Sequence, residues 1–301
     1  GSEMTDSSLA EFNAATSVTH PGRTWYVAAD GDDSNDGLSP EKAWKTTAPV
    51  NRLILSAGDA VYFHRGDVFN DQFLHLKGAG SAQKPIKISA YGDSSKPLPV
   101  INTNGKGTWY EDYHTKLDSS SHRFKGTVSS SVLLKDVEYI EVSHLEITND
   151  RQDTDPGKYN DVDAMNRTGV AVIAENIGTV NHVVLKDLYI HDVDGNVYDK
   201  HMANGGIYVI AHKPLNEAAT GIARFDDVQV LNNRVERVNR WGIGVGYTGY
   251  SAQFAQAEIS HETAQTYGQT NVVVRGNFVK DAGGDAITVF YADKPLIEYN
   301  V

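Results

Sequence analysis

An all-β chain wound as a parallel β-helix, closed at its N-terminal end by a capping helix and carrying long loops, is predicted by three observations. A column of look-alike strands recurs: Gly169-Val170-Ala171-Val172, Gly206-Ile207-Tyr208-Val209, Gly242-Ile243-Gly244-Val245 and Asp285-Ala286-Ile287-Thr288-Val289. A second pattern precedes each of them and begins at Ile140, Val183, Val228 and Val272, a period of about 44 residues. No amphipathic helix of the roughly ten residues or more that an alternating α/β fold needs lies between these strands. A fixed period of short strands marks a stacked solenoid, in which each repeat buries its apolar edge against its neighbours.

Within the column, period-2 alternation points Val170/Val172, Ile207/Val209, Ile243/Val245 and Ile287/Val289 inward. The preceding pattern reads Val228-x-Val230-x-x-Asn233-x-Val235 and Val272-x-Val274-x-x-Asn277-x-Val279. Its Asn233 and Asn277 suit a corner that is either left-handed or bonded by the asparagine side chain.

The 301 residues suffice for one large domain, and a solenoid uses that length as a single unit. The formal net charge of −12 argues against nucleic acid and against an anionic membrane surface, since both reward clustered Lys and Arg. It also weakens a polyanionic sugar as substrate. The absence of cysteine excludes a disulfide frame, a thiol nucleophile and a thiolate metal site. No apolar run reaches the length of a membrane span. Gly1-Ser2 reads as a cloning remnant, and the expectation is a secreted or cell-surface bacterial chain whose leader has been removed.

In chain order, residues 1–22 read as a leading tail and residues 23–301 as the solenoid. Trp25-Tyr26-Val27-Ala28 is the first strand. The acidic loop Asp30–Gly37 suggests either calcium or a hydrogen-bonded turn. Ala43 at the twelfth loop position breaks the EF-hand pattern. No cofactor or metal is expected, with calcium left open. Thr46-Thr47-Ala48-Pro49 begins a short helix, capped by Thr and running to about Leu55, that plugs the solenoid's first end. Gly58–Phe63, Ile86–Tyr91 and Pro99-Val100-Ile101 form the first coils. Residues 102–130, 148–168, 192–204, 210–227 and 247–270 are long excursions. The second holds Asp150, Asp153, Asp155, Asp161 and Asp163, and the last is helical around Ala252–Tyr267. Such loops are commonly functional, and their shared position beside one strand column gathers them on one side. The last residues, Leu296–Val301, look like the start of another coil. The expectation is an incomplete helix, completed by further chain or a second polypeptide.

The outward positions of the column run Gly169/Ala171, Gly206/Tyr208, Gly242/Gly244/Gly246 and Ala286/Thr288. A strand without outward side chains marks close approach of a ligand or of another backbone. One reading makes Gly244 the floor of a groove walled by Tyr208 and Thr288; the other folds loop 247–270 over it. Trp241, Tyr247 and Tyr250 offer flat faces to sugar rings, or ordinary packing. Arg240 and His201 are candidate hydroxyl or carboxylate binders. At the adjoining corner Asp192, Arg237 and Asp281 align. Arg237 then bridges two carboxylates, or Asp192 and Asp281 form a catalytic pair roughly 9–10 Å apart, given coils about 4.8 Å apart, near the upper end for inversion. Asp285, at a strand start near Trp241, bonds corner amides or serves as an acid whose pKa burial raises. The histidines show no close metal spacing.

Tyr26–Pro40 with Trp44-Lys45-Thr46, Gly58–Val61 and Lys84-Pro85-Ile86 resembles the opening of many secreted right-handed β-helix enzymes acting on carbohydrates. Asn166–Val170, Ile190–Tyr198, Lys200–Tyr208, Arg240–Tyr247 and Ala282–Ile287 together resemble the β-helix domain of the lacto-N-biosidase family of glycoside hydrolases. The resemblance runs from roughly residue 24 to the last. It implies release of lacto-N-biose from neutral oligosaccharides such as those of human milk, and retaining chemistry by two aspartates on later coils. It also implies a second chain or domain as partner. A β-helix polysaccharide lyase, or a non-catalytic sugar-binding or assembly module, is the alternative.

Overall fold

The computed structural model describes residues 22–150, 165–255 and 258–301. Asp153, Asp155, Asp161 and Asp163 lie outside the described residues. The described strands form three sheets in which the pairing is parallel, with one exception noted below. The chain visits the sheets in a fixed order. Ile140–Ser143, Glu146–Asn149 and Asn166–Ala174 enter the first, second and third sheets, and Thr179–Lys186, Tyr189–Val193 and Gly205–Ala211 follow in the same order. Arg224–Leu231, Arg234–Val238 and Trp241–Thr248 repeat it again.

The register is the one that period-2 alternation requires. Val170 pairs with Ile207, Ile207 with Ile243 and Ile243 with Ile287, and Val172, Val209, Val245 and Val289 run beside them. In the second sheet Ile147, Ile190, Val235 and Val279 align. In the first sheet Val142, Leu185, Val230 and Val274 do so. These columns meet in one core that runs from Trp25 to Val274, with Val279, Ile287 and Val289 partly buried against it. Each such Val, Leu or Ile contributes about 1.5–3 kcal/mol of hydrophobic stabilisation.

The corners between first and second sheets have a division of labour. The left-handed residue is His144, Asp187, Asn232, Gly276 or Tyr299, one position ahead of Leu145 and Leu188 at the earlier corners and of Asn233, Asn277 and Asn300 at the later ones. Asn233 and Asn277 act through their side chains. The Asn233 Oδ1 accepts from the Leu188 amide (3.0 Å) and its Nδ2 donates to the Leu185 carbonyl (3.0 Å). Asn277 Oδ1 accepts from the Asn233 amide (2.9 Å) and Nδ2 (3.0 Å), while its own Nδ2 donates to the Val230 carbonyl (2.9 Å). Asn300 repeats the arrangement one level on. These atoms are buried and have no water to turn to, so the ladder satisfies groups that would otherwise be costly orphans.

The helix near the first end is shorter than its sequence suggests. It spans Ala48–Arg52, because Leu53 is already extended and Leu55 bridges to Gly78. Thr47 occupies the capping position without a side-chain cap, and Thr46 Oγ1 instead accepts from the Ala48 amide (3.2 Å). Val50, Leu53 and Leu55 join the core, as an end plug requires. The carboxylates of the Asp30–Gly37 loop accept from backbone amides: Asp32 from Ser34, Asp33 from Lys45 and Thr46, and Asp36 from Leu38. The excursion after residue 102 contains the exception to parallel pairing. Thr108–Asp112 runs antiparallel to Lys125–Lys135 and forms a flap on the third sheet. In the 247–270 insertion a short 3-10 turn, Ser251–Phe254, and a helix, His261–Tyr267, replace the longer helix anticipated.

Asn277→Ala removes bonds to two levels at once and strands the Asn233 amide. The expected loss is about 1–3 kcal/mol in urea unfolding. A change within about 0.5 kcal/mol, the size of an ordinary surface substitution, would show the ladder to be dispensable.

Candidate functional site

The outer face of the third sheet carries a second apolar core. Leu133, Ala171, Ile173, Tyr208 and Ile210 project from the strands, and Tyr113, Leu117 and Met202 cover them from the flap and from the loop before Gly205. This corrects the open groove read from the glycines. Tyr208 is fully buried and donates its hydroxyl to the Asn204 carbonyl, so it is not a groove wall. Gly244 faces the Trp241 ring: a Cβ there would lie 2.5 Å from its Cε3. Gly242 is glycine because a Cβ would strike the Ala286 carbonyl (2.4 Å) and Val279 (2.5 Å) where the sheets converge. Gly246, at φ +101°, absorbs the register shift between Trp241–Thr248 and Gly205–Ala211. The space above the strand is thus taken by Trp241 itself and by the flap, while loop 247–270 adds Phe254 against Tyr291.

Aromatic rings continue this cover towards the strand Ile287–Val289. Trp241 stacks on Tyr208 (5.1 Å between centroids) and meets Phe290 (5.2 Å). His201 stacks on Tyr247 (4.2 Å), faces Trp241 (5.6 Å) and touches the His122 ring (3.8 Å). Trp241 and Tyr247 are both buried, which corrects their reading as exposed platforms. Tyr250 is buried too and donates to Glu217 (2.5 Å).

Three of the sequence candidates converge here with polar atoms unsatisfied. Among the described residues, His201 Nδ1, Arg240 Nε and Thr288 Oγ1 are buried without a hydrogen-bond partner. Arg240 lies 5.9 Å from the Trp241 ring centroid, and its Nη1 donates to the Val197 carbonyl (3.3 Å). Burial, reinforced by His122, lowers the His201 pKa to about 3, so its ring is neutral with a free lone pair. Beside it stand Asp118 and His122, whose carboxylate and Nδ1 are 2.9 Å apart. Donor atoms of Asp118, His122 and His201 all lie within 4.8 Å of one another. This corrects the expectation of scattered histidines. Spacing could not reveal the group, because its members come from two excursions almost 80 positions apart.

The sequence also gave no sign of the clamp beneath the flap. His212, wholly buried, is held between Glu111 (2.8 Å) and Glu175 (2.8 Å). Burial opposes its charge, but the two carboxylates outweigh burial and raise its pKa. Glu175, despite burial, is brought down to about 2 by His212 and by Lys135 (3.3 Å). Two analogues lie elsewhere: Glu141–His182–Asp227 and Glu146–His191–Asp192.

The aspartate candidates divide. Asp192 binds Arg237 through both oxygens (3.0 Å each) and His191 (2.5 Å); despite its burial, these partners lower its pKa. A carboxylate so occupied is poorly suited to donating a proton. Arg237 turns its remaining contact to Glu236 (3.2 Å), and among the described residues no ion pair joins it to Asp281. The three-member bridge is therefore replaced by an Asp192–Arg237–Glu236 cluster. Asp281 and Asp285 are exposed, so among the described residues Asp285 does not have the buried surroundings anticipated for it. Thr288 is half-buried and pairs in register with Gly244.

No protein-family model matches the chain. The fold and sequence nevertheless align it with enzymes named as glycosidases. More particularly, it is 46% identical to the lacto-N-biosidase of Bifidobacterium longum subsp. longum, over 98% of this chain and 20% of that protein. The crystal structure of the GH136 lacto-N-biosidase from Eubacterium ramulus superposes with a TM-score of 0.88 at 46% identity, covering 98% of this chain and 46% of that one. A shorter stretch, 21% of the chain, is 43% identical to alpha-1,3-galactosidase A of Akkermansia muciniphila. The chain thus spans less than half the length of the lacto-N-biosidases it matches. The lacto-N-biosidase resemblance read from the sequence holds along nearly all of it.

Two outcomes are expected. Gly244→Trp, which an open groove would accept, should cost about 1–3 kcal/mol or more by overpacking against Trp241; wild-type stability in urea would restore the open groove. The raised His212 pKa gives stability that is complete below its unfolded value of 6.5 and lost as pH rises through the folded one. Glu175 gives stability present above 4.5 and lost as pH falls towards about 2. Thermal melts should therefore peak between these limits. His212→Ala should cost about 3–5 kcal/mol by leaving buried Glu111 without its cation and Glu175 with Lys135 alone, and should weaken the alkaline decline.

Proposed function

We propose that this chain is part of a glycoside hydrolase of the lacto-N-biosidase type, acting on neutral oligosaccharides to release lacto-N-biose. The observation that carries the reading is the 46% identity to a lacto-N-biosidase over 98% of the chain. The finer architecture we infer is a right-handed parallel β-helix, which the cyclic order of the three sheets supports. The chain supplies scaffold and one part of the sugar cleft. A second polypeptide or domain completes it, and the enzyme acts outside the cell or at its surface.

The sugar-contacting face is assigned to Arg240, Trp241 and Thr288, with His201 and Tyr247 behind them. Unsatisfied donors and acceptors on one buried face are what a polyhydroxylated ligand would satisfy, and their desolvation is already complete. The indole edge and guanidinium plane beside them suit the mixed apolar and polar faces of a pyranose. The exposed carboxylates Asp281 and Asp285 are the catalytic candidates within the chain. Asp192 is assigned to its ion pair instead.

Calorimetric titration with lacto-N-biose, together with release of p-nitrophenol from its β-glycoside, tests this. Binding is expected, weakened about tenfold or more by Arg240→Ala and by Thr288→Val, the effect of about 1.4 kcal/mol per lost hydrogen bond. Turnover abolished by Asp285→Asn or Asp281→Asn would assign the chemistry to these residues. Binding without turnover would assign it to coils beyond them. A folded chain with no affinity for the disaccharide would overturn the cleft assignment.

A further inference from the structure

The histidine–aspartate group beside the Tyr247 ring has a composition that sugar binding does not call for. Asp118 and His122 lie four residues apart in a tight turn of the flap, closed by the His122 amide donating to the Ser119 carbonyl (3.0 Å). His201 comes from the separate loop that precedes Gly205–Ala211. Its backbone is left-handed (φ +66°), and its carbonyl accepts from the Tyr113 hydroxyl (2.8 Å). The backbone is therefore anchored while the ring is aimed at the flap. The residue is 9% exposed, and its Nδ1 has no hydrogen-bond partner among the described residues.

We propose that Asp118, His122 and His201 form a binding site for a divalent metal ion of the zinc class. One carboxylate and two imidazoles are a ligand set that zinc accepts, with a further position left open. At ligand distances of about 2.0–2.2 Å, tetrahedral donors stand about 3.3 Å apart. The 2.9 Å between Asp118 and His122 and the 4.8 Å limit across the group bracket that spacing. Small side-chain rotations close it. Tyr247 supplies the outer support such sites need: its hydroxyl donates to Asp118 Oδ1 (3.1 Å), which orients the carboxylate. The bound ion satisfies the His201 imidazole in place of a hydrogen bond.

The site has a structural consequence. The turn at 118–122 and the loop at 199–201 meet through the Arg123–Asp199 ion pair (3.3 Å) and the Arg123 amide on the Lys200 carbonyl (3.1 Å). A metal ion joins the same two segments more rigidly and fixes the flap over the third sheet. In a chain without cysteine it is the cross-link available to these loops.

The test uses the whole chain, stripped with EDTA and dialysed free of it, then titrated calorimetrically with zinc chloride. Metal content is measured after gel filtration. One zinc per chain and a higher melting temperature in excess zinc are expected. His122→Ala, at a partly exposed position, and His201→Gln should each weaken binding at least about 100-fold, whereas Tyr247→Phe should weaken it about tenfold. His144→Ala, at the corner that follows Ile140–Ser143, should leave it unchanged. Cobalt substitution should give the visible absorption of a four-coordinate site, lost in His122→Ala. Substoichiometric zinc, or unchanged affinity in a folded His122→Ala chain, would overturn the site. Because zinc is titrated without sugar, failure here is separate from failure of the glycosidase reading.

Discussion

Inward stacking of like residues on like residues is the constraint from which the rest follows. Ile207 sits on Val170 and beneath Ile243, and the same holds for every apolar column of the three sheets. No level has an apolar core of its own; each borrows one from its neighbours. That requirement fixes the register, and the register fixes the corners. A shift of one residue would turn every inward Val and Ile to solvent. The left-handed residues ahead of Asn233 and Asn277 and the bulge at Gly246 are local adjustments that keep the columns aligned.

The outer face of the third sheet obeys a different logic. It is covered by a flap that is held by polar anchors as much as by packing. Glu111, carried on the flap strand, reaches His212 and through it Glu175, binding the flap to two successive strand ends. The energetic weight of such a buried arrangement lies in the cost of breaking it. Its position is what matters: it sits below the aromatic cover and leaves Arg240, Thr288 and His201 at the margin with their polar atoms unmet. The Glu111–His212–Glu175 clamp and the residues that await a ligand are thus distinct sets.

Periodic features were legible in the sequence. The columns, the spacing of about 44 residues, the asparagine corners and the plug at the first end all rest on local alternation or repetition, which one strand after another displays. The resemblance to lacto-N-biosidases was legible for a related reason, since the motifs that carry it lie on these same strands. What was not legible depends on side chains meeting across long separations. Nothing about Gly244 announces that Trp241, three residues earlier, would fold back over it. Nothing about Glu111 announces His212, about 100 positions on. The outward reading of Tyr208 was correct as a direction and wrong as an exposure, because alternation tells which way a side chain points and is silent on what covers it. The Arg237 bridge failed for a similar reason: Glu236, its sequence neighbour, competes for the guanidinium.

The asparagine ladder has a direction. Asn277 accepts from the amide and side chain of Asn233 and donates to Val230, so the later level completes the earlier one, and Asn300 does the same for Asn277. Read along the chain, each level stays incomplete until the next has been laid down. The same polarity gives the molecule a grain: trimming from the far end uncovers one set of buried amides at a time, while loss of an early level leaves all later ones without a template.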